Sequence, residues 1–223
     1  MRAIAIDGPA GAGKSTIARR TAAELGFIYV DTGALYRTIG YAVDHFGLST
    51  KKEEDIIKAL QKIHVELRFI NGEQRVFLNG EDVSDYIRTP EVSMFASEVS
   101  AVPKVREFLF DLQQEIARNN DVIMDGRDIG TVVLPNADLK IFLTATAEDR
   151  AKRRYQQLLE SGTIVDFDQL LEEIKQRDYN DSHRKIAPLR QAEDALLVDT
   201  TGNTLAESID LLQRIIRNRL GLE

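Results

Sequence analysis

The sequence predicts an α/β protein: a five-stranded parallel sheet flanked by helices, with a small antiparallel insert. Five short apolar runs carry the first part: Ala3–Asp7, Ile28–Val30, Val122–Asp125, Leu139–Leu143 and Leu196–Asp199. Runs of this length and near-continuous hydrophobicity suit strands covered on both faces. Stretches with helical apolar spacing separate them, and that alternation is what builds a parallel sheet. The third observation is size. A chain of 223 residues, 43% hydrophobic and 29% charged, is long enough for one such domain with a sizeable core.

The first run ends at Asp7 and enters Gly8-Pro9-Ala10-Gly11-Ala12-Gly13-Lys14-Ser15, which matches G-x-x-x-x-G-K-[ST] in full. It lies between a strand and a helix expected from about Lys14, the context its mechanism requires. Glycines let backbone N–H groups converge on phosphate oxygens, and the helix N-terminus adds its positive end. Lys14 suits the β- and γ-phosphates, and the Ser15 hydroxyl suits Mg²⁺. A glycine turn that merely packs a helix would explain the glycines but not the Lys-Ser pair. A nucleoside triphosphate with Mg²⁺ is therefore the expected ligand.

The second run leads into Asp31-Thr32-Gly33-Ala34-Leu35-Tyr36-Arg37. Thr32 is expected as the helix N-cap, and Arg37 lies about one turn in, where it could hold a second phosphate bidentately. His64–Ile70 and Arg75–Leu78 flank Asn71-Gly72-Glu73-Gln74, with Asn79-Gly80 following. Alternating Val65, Leu67 and Phe69 with an Asn-Gly turn predict an antiparallel hairpin, inserted at about residues 63–93. Val105, Phe108, Leu109, Leu112 and Ile116 share one helical face after Pro103, and a core-facing helix is expected there.

The third run ends in Asp125-Gly126-Arg127-Asp128. Three charges at the carboxyl end of a buried strand need partners, which puts them in the ligand crevice. Asp125 is in position to orient Mg²⁺ through water. An Arg127–carboxylate salt bridge is the competing reading. After the fourth run, Arg150, Arg153 and Arg154 have the spacing of one helical face, and Ser161-Gly162-Thr163 suits a mobile loop. A merely solvated charged face explains the arginines almost as well. Arg177, Asp181 and Arg184 also have the spacing of one face, suited to a phosphate and a ribose. The fifth run ends at Asp199-Thr200-Thr201-Gly202, read as a strand end and turn. Leu205, Ile209, Leu212, Ile216 and Leu220 then predict a final core-facing helix.

Composition removes other classes. Lys+Arg of 29 against Asp+Glu of 36 gives a net charge of −7, a poor footprint for sequence-independent duplex binding. With no cysteine there is no disulfide, thiolate metal site or Cys nucleophile, and the three histidines lack ligand spacing. No apolar run reaches membrane-span length and no leader is recognisable, so a cytoplasmic location is expected. The chain lacks the N-K-x-D of GTPases and the L-S-G-G-Q of transport ATPases. A kinase, or a nucleotide-binding module without catalysis, remains.

GPAGAGKST, DTGALYR, EVSMFASEVSAVPKVRE, DGRDIGTVV and EIKQRDYNDSHRKIAPL, in that order, resemble the bacterial cytidylate kinases to about residue 200. The resemblance implies a phosphate-loop kinase fold in one domain. Its core would be 1–62, 94–146 and 184–223, with a monophosphate-binding insert at about 63–93 and a helical lid at about 147–167. It implies transfer of the γ-phosphoryl group of ATP to CMP or dCMP with Mg²⁺; UMP is the alternative acceptor. Gly8, Pro9, Ala10, Gly11, Ala12, Gly13, Lys14, Ser15 and Thr16 would hold the ATP phosphates. Thr32, Arg37, Arg127 and Arg184 would hold the CMP phosphate. Ser97, Arg106 and Asp128 would read the base, and Arg177 and Asp181 would meet the sugar. Lys14, Arg127 and Arg184 would carry the catalytic charge, with Arg150, Arg153 and Arg154 in the lid. Arg106, off the apolar face of its helix, would be free to donate to the base. The partners are then small nucleotides, with no nucleic acid or membrane, and the expected state is a monomer.

Overall fold

The computed structural model describes residues 1–222. In chain order its elements are β1 (Ala3–Asp7), α1 (Lys14–Leu25), β2 (Ile28–Asp31), α2 (Thr32–His45), α3 (Glu53–Leu60), β3 (Val65–Ile70), β4 (Glu73–Leu78) and β5 (Glu81–Asp82). They continue with α4 (Pro90–Ser100), α5 (Pro103–Asn119), β6 (Val122–Gly126), β7 (Leu139–Thr144), α6 (Ala147–Glu160), α7 (Phe167–His183), β8 (Leu196–Asp199) and α8 (Leu205–Leu220). A 3₁₀ turn spans Tyr86–Arg88 and a π-turn Ile129–Val133. All five apolar runs became strands of one parallel sheet, in the order β2-β6-β1-β7-β8. The chain divides into two compact units, residues 27–122 with Met1, and residues 2–26 with the chain from 123 onward.

In the second unit, β1 pairs in parallel with β7 and β7 with β8, through Ile6 opposite Ile141 and Leu143 opposite Val198. Ile4, Ala5 and Ile6 are fully buried, which is why β1 reads as an unbroken apolar run. Ile209, Leu212 and Ile216 of α8 are buried as expected. Leu205 is not: it is 43% exposed. A capping box of Thr204 and Glu207 starts the helix at Leu205, and this first turn extends beyond the packed face.

The first unit has its own core. Leu35, Ile39, Ala42 and Val43 of α2, Ile56 and Ala59 of α3, Val76 and Leu78 of β4, and Val105 and Leu109 of α5 form one buried cluster. Gly40 is where α2 meets α4: a Cβ there would lie 2.6 Å from the Phe95 Cβ. The antiparallel part is a three-stranded sheet, β3-β4-β5. The expected four-residue connection is shorter than predicted. Asn71 and Gly72 alone turn the chain, at φ 54° and 80°, so the return strand starts at Glu73. Asn79 and Gly80 repeat the device at 50° and 87° and add β5. Two positive φ angles in succession are the signature of type I′ turns, which match the twist of a hairpin.

Two sequence expectations about caps are corrected. Thr32 is not the N-cap of α2 but its first residue; Asp31, still extended at the end of β2, accepts from Ala34 N–H at 3.0 Å. Arg184 does not continue the face of Arg177 and Asp181, because α7 ends at His183 and Arg184 turns into extended backbone.

Candidate active site

The phosphate loop of the second unit is shaped by its glycines. Gly8 has φ 150°, and a Cβ there would lie 1.9 Å from the Leu143 carbonyl oxygen, so only glycine fits between β1 and β7. Gly13 precedes α1 in left-handed conformation and no side chain caps the helix. The first N–H groups of α1 are therefore left for an anion. Lys14 is buried and donates from Nζ to the Pro9 carbonyl at 2.8 Å. Burial, and then the nearby Arg127 charge, push its amine down to about 7, against the pull of Asp125, Asp181 and Asp7. Ser15 Oγ donates to Asp125 Oδ2 at 2.8 Å. Two hard oxygen donors beside a phosphate cradle suit Mg²⁺, which takes few protein ligands. Among the described residues there is no cluster of three or more His, Cys, Asp or Glu to suit a metal caged by protein alone.

Beyond β6 lies a network of buried charges. Arg127 Nε donates to Asp181 Oδ2 at 2.8 Å and Nη1 to the Gly126 carbonyl at 3.2 Å, so the salt bridge weighed as a competing reading is present. Burial lowers the Arg127 pKa, and the carboxylates of Asp181, Asp125 and Asp7 together more than restore it, leaving it above the ordinary value. Burial raises that of Asp181, but Arg127, Arg177 and Arg184 together hold it below the usual carboxylate range. Arg184 Nη2 lies 3.5 Å from Asp128 Oδ1, and its Nε donates to the Ala187 carbonyl at 2.7 Å. Ala187 sits at φ 46°, uncommon for a residue with a Cβ. The strands and helices thus bring Lys14, Asp125, Arg127, Asp181, Arg184 and Asp128 into one charged region of this unit.

The three arginines of α6 have different surroundings. Arg150 is 4% exposed; it pairs bidentately with Asp178 of α7 and donates to the Ala10 carbonyl of the phosphate loop at 2.8 Å. Arg153 donates to the Thr200 carbonyl at 2.6 Å and pairs with Asp149. Arg154 is exposed. The shared face read from spacing resolves into a loop brace, a strand-end contact and a solvated side chain.

In the first unit, Asp31 Oδ2 pairs with Arg37 Nη2 at 2.7 Å while Oδ1 caps α2. Arg37 Nε is buried without a hydrogen-bond partner. Thr32, next to Asp31 in sequence, is buried. Ser97 and Arg106 are both tied to Ser100, at the corner between α4 and α5. Ser97 O accepts from Ser100 Oγ at 2.9 Å, and Arg106 Nη1 donates to Ser100 O at 3.0 Å with its guanidinium 5.5 Å from the Tyr36 ring centre. Arg106 is therefore anchored, not free as its position off the apolar face suggested.

Sequence reading missed four residues. Gln74 brackets the Asp31 peptide, accepting its N–H at 2.8 Å and donating to its carbonyl at 3.2 Å. Asp178 supports Arg150, and Tyr36 backs Arg106. Asp7 was noted only as a strand end, yet its buried carboxylate receives two backbone N–H groups, from Ile129 at 2.8 Å and Gly130 at 2.7 Å. A carboxylate closing an otherwise apolar strand was the available signal.

The cytidylate kinase family model matches residues 4–218. The chain belongs to the cytidylate kinase family. A cytidylate kinase of Caldicellulosiruptor bescii is 52% identical over 97% of this chain and 98% of its own. One of Ligilactobacillus salivarius is 50% identical over 97% and 96%. Among solved structures, an uncharacterized protein of Eubacterium ventriosum has the same fold at TM-score 0.55 and 12% identity, over 97% of this chain and 98% of that one. A five-stranded parallel sheet is here combined with a second, antiparallel sheet of three strands. No helix among the described residues is long and apolar enough to cross a membrane.

Proposed function

We propose that this chain transfers the γ-phosphoryl group of ATP to CMP or dCMP, giving ADP and CDP or dCDP. Family membership across the chain supports the reaction, and one observation supports its layout. The buried Lys14 amine feels Arg127, Asp125 and Asp181 at once, so the lysine for the donor phosphates shares a field with an arginine suited to the acceptor. Residues 8–16 would hold the ATP phosphates. Thr32, Arg37, Arg127 and Arg184 would hold the CMP phosphate; the partnerless Arg37 Nε is the donor such an anion would satisfy. Ser97, Arg106 and Asp128 would read the base, and Arg177 and Asp181 the sugar.

A CMP phosphate oxygen attacks the γ-phosphorus in line, the new P–O bond forms, and the bond to the β-phosphate oxygen breaks with its electrons leaving on ADP. No general base is needed, because the attacking oxygen is already ionised at neutral pH. Lys14, Arg127 and Arg184 neutralise the spreading charge. Ser15 would hold Mg²⁺, with Asp125 orienting it through water, and the ion when bound supplies positive charge to the phosphates. Arg150, Arg153 and Arg154 lie in the segment proposed to close over the reactants and exclude water. We take the working form to be a monomer in the cytoplasm, where its nucleotide substrates are, with no nucleic acid partner.

Coupled ADP release with CMP, dCMP, UMP, AMP or no acceptor tests the reaction. Strong turnover with CMP and dCMP, weak with UMP and near zero without acceptor is the expected result; equal rates without acceptor would mean an ATPase. Asp128→Ala is expected to narrow the CMP/UMP ratio by about tenfold or more. Its carboxylate accepts from cytosine N4 but would oppose uracil O4. An unchanged ratio would remove Asp128 from that role.

The depressed Lys14 amine gives a third expectation. At pH 8 it is mostly neutral in the free protein, and the charge of a bound triphosphate restores its proton. Calorimetry of ATP binding in buffers of differing ionisation enthalpy is expected to give uptake of about one proton at pH 8, abolished by Lys14→Met. The same uptake in the variant would assign the proton to another group.

A further inference from the structure

We propose that Asp7 is a positioning residue for base recognition: it caps the turn after β6 from a different strand, which keeps the Asp128 carboxylate out of that turn and directed toward Arg184. The inference rests on the reading of Asp128 as the group that meets cytosine.

Asp128 is the N-cap of the π-turn Ile129–Val133, and its main chain serves the turn, accepting from Val132 N–H at 2.9 Å and Val133 N–H at 3.2 Å. The first N–H groups of such a turn have no partner within it. An aspartate at an N-cap ordinarily folds its own side chain back to accept one of them. Here the Asp128 side chain makes no capping bond. Asp7 supplies the acceptors from 122 and 123 residues away: Oδ1 takes Ile129 N–H at 2.8 Å and Oδ2 takes Gly130 N–H at 2.7 Å. The Asp128 carboxylate is directed to Arg184 instead, 3.5 Å from its guanidinium.

The fit is close. Asp7 is 5% exposed, and a Cβ on Gly130 would lie 3.4 Å from Asp7 Oδ2 and 3.1 Å from Lys140 Cδ. Burial pushes the Asp7 carboxyl up to about 6 although both N–H bonds and Lys14 oppose it, with Asp128 adding to the rise. Such a group is costly to bury, and the two bonds it makes are charge-assisted. Asp7 also adjoins Gly8, so one residue links the phosphate loop to the segment carrying Arg127 and Asp128. Without it, Asp128 would be drawn back to cap its own turn.

Asp7→Asn removes one acceptor and sets an amide N–H₂ against a backbone N–H. The expected result is a fall of about tenfold or more in the ratio of kcat/KM for CMP to that for UMP, carried by the CMP KM, with the ATP KM within about twofold of the parent. In an Asp128→Ala background the same substitution should move the ratio no further, as two residues acting through one contact are non-additive. An unchanged ratio, an equal loss with both acceptors, or additivity with Asp128→Ala would overturn the proposal. If Asp7→Asn does not fold, Asp7→Ser carries the same test. On the unaltered protein, Ile129 and Gly130 amides that exchange as fast as exposed loop amides would also overturn it. If the parent protein itself does not favour CMP over UMP, the functional reading fails first; if it does and the variants leave the preference intact, only the role of Asp7 fails.

Discussion

Lys14→Met is expected to lower kcat by about 10³-fold or more while making the protein more stable at neutral pH. The two effects have one cause. The amine is buried and its pKa is pushed down to about 7 from 10.5, so the folded state holds a charge that water would hold better. A group lowered on folding binds fewer protons in the native than in the unfolded chain, and stability therefore rises with pH between those two values. The destabilising contribution of Lys14 is present in full below pH 7 and fades toward pH 10.5. Thermal unfolding of the two proteins should differ most at pH 6 to 7 and converge near pH 10.5. Near-parental kcat in the variant would contradict the phosphate-loop assignment. A lower Tm at pH 6.5 would contradict the account of the buried charge.

Asp181→Ala is expected to cost about 3 kcal/mol of stability, because it leaves Arg127 largely buried without its carboxylate. The sign with pH is opposite to that for Lys14. Asp181 titrates below its ordinary 3.8 in the folded state, so its contribution is present above that value and is lost as pH falls through the folded pKa. Urea unfolding should give a gap between parent and variant at pH 7 that closes on strong acidification. CMP turnover should fall as well, since Arg127 loses the group that orients its guanidinium. A gap below about 0.5 kcal/mol at pH 7 would mean that water replaces the carboxylate at no cost.

What could be read from the sequence was what short-range chemistry decides. Apolar runs marked the five strands, and a glycine pattern followed by Lys-Ser marked the anion cradle. Asn-Gly pairs marked both tight turns. The failures came where two residues could serve one purpose or where the deciding contact is distant. Asp31 and Thr32 are both good N-caps, and the choice depended on β2 extending one residue further than its apolar run. Helical spacing put three arginines of α6 on one face, but a carboxylate 28 residues away, on α7, draws Arg150 into the interior. Asp7 could not be assigned a role, because its partners are backbone amides beyond β6, and a sequence does not announce which N–H groups a side chain will meet. Arg106 sat off its helix's apolar face as expected, while its anchor, the Ser100 carbonyl, belongs to the preceding helix end.

The paired Asn-Gly turns also set how this protein ages in storage. An asparagine followed by glycine closes most readily on the next amide nitrogen, and the resulting succinimide opens to aspartate or isoaspartate. Asn79 is restrained: its Oδ1 accepts from His64 N–H at 2.7 Å and its Nδ2 donates to the Lys62 carbonyl at 3.2 Å. Asn71 stands exposed at the tip of the β3–β4 hairpin. Chemical damage should therefore accumulate at Asn71 first, adding one negative charge there and, in the isoaspartate form, an extra backbone carbon in a turn that has room for two residues only.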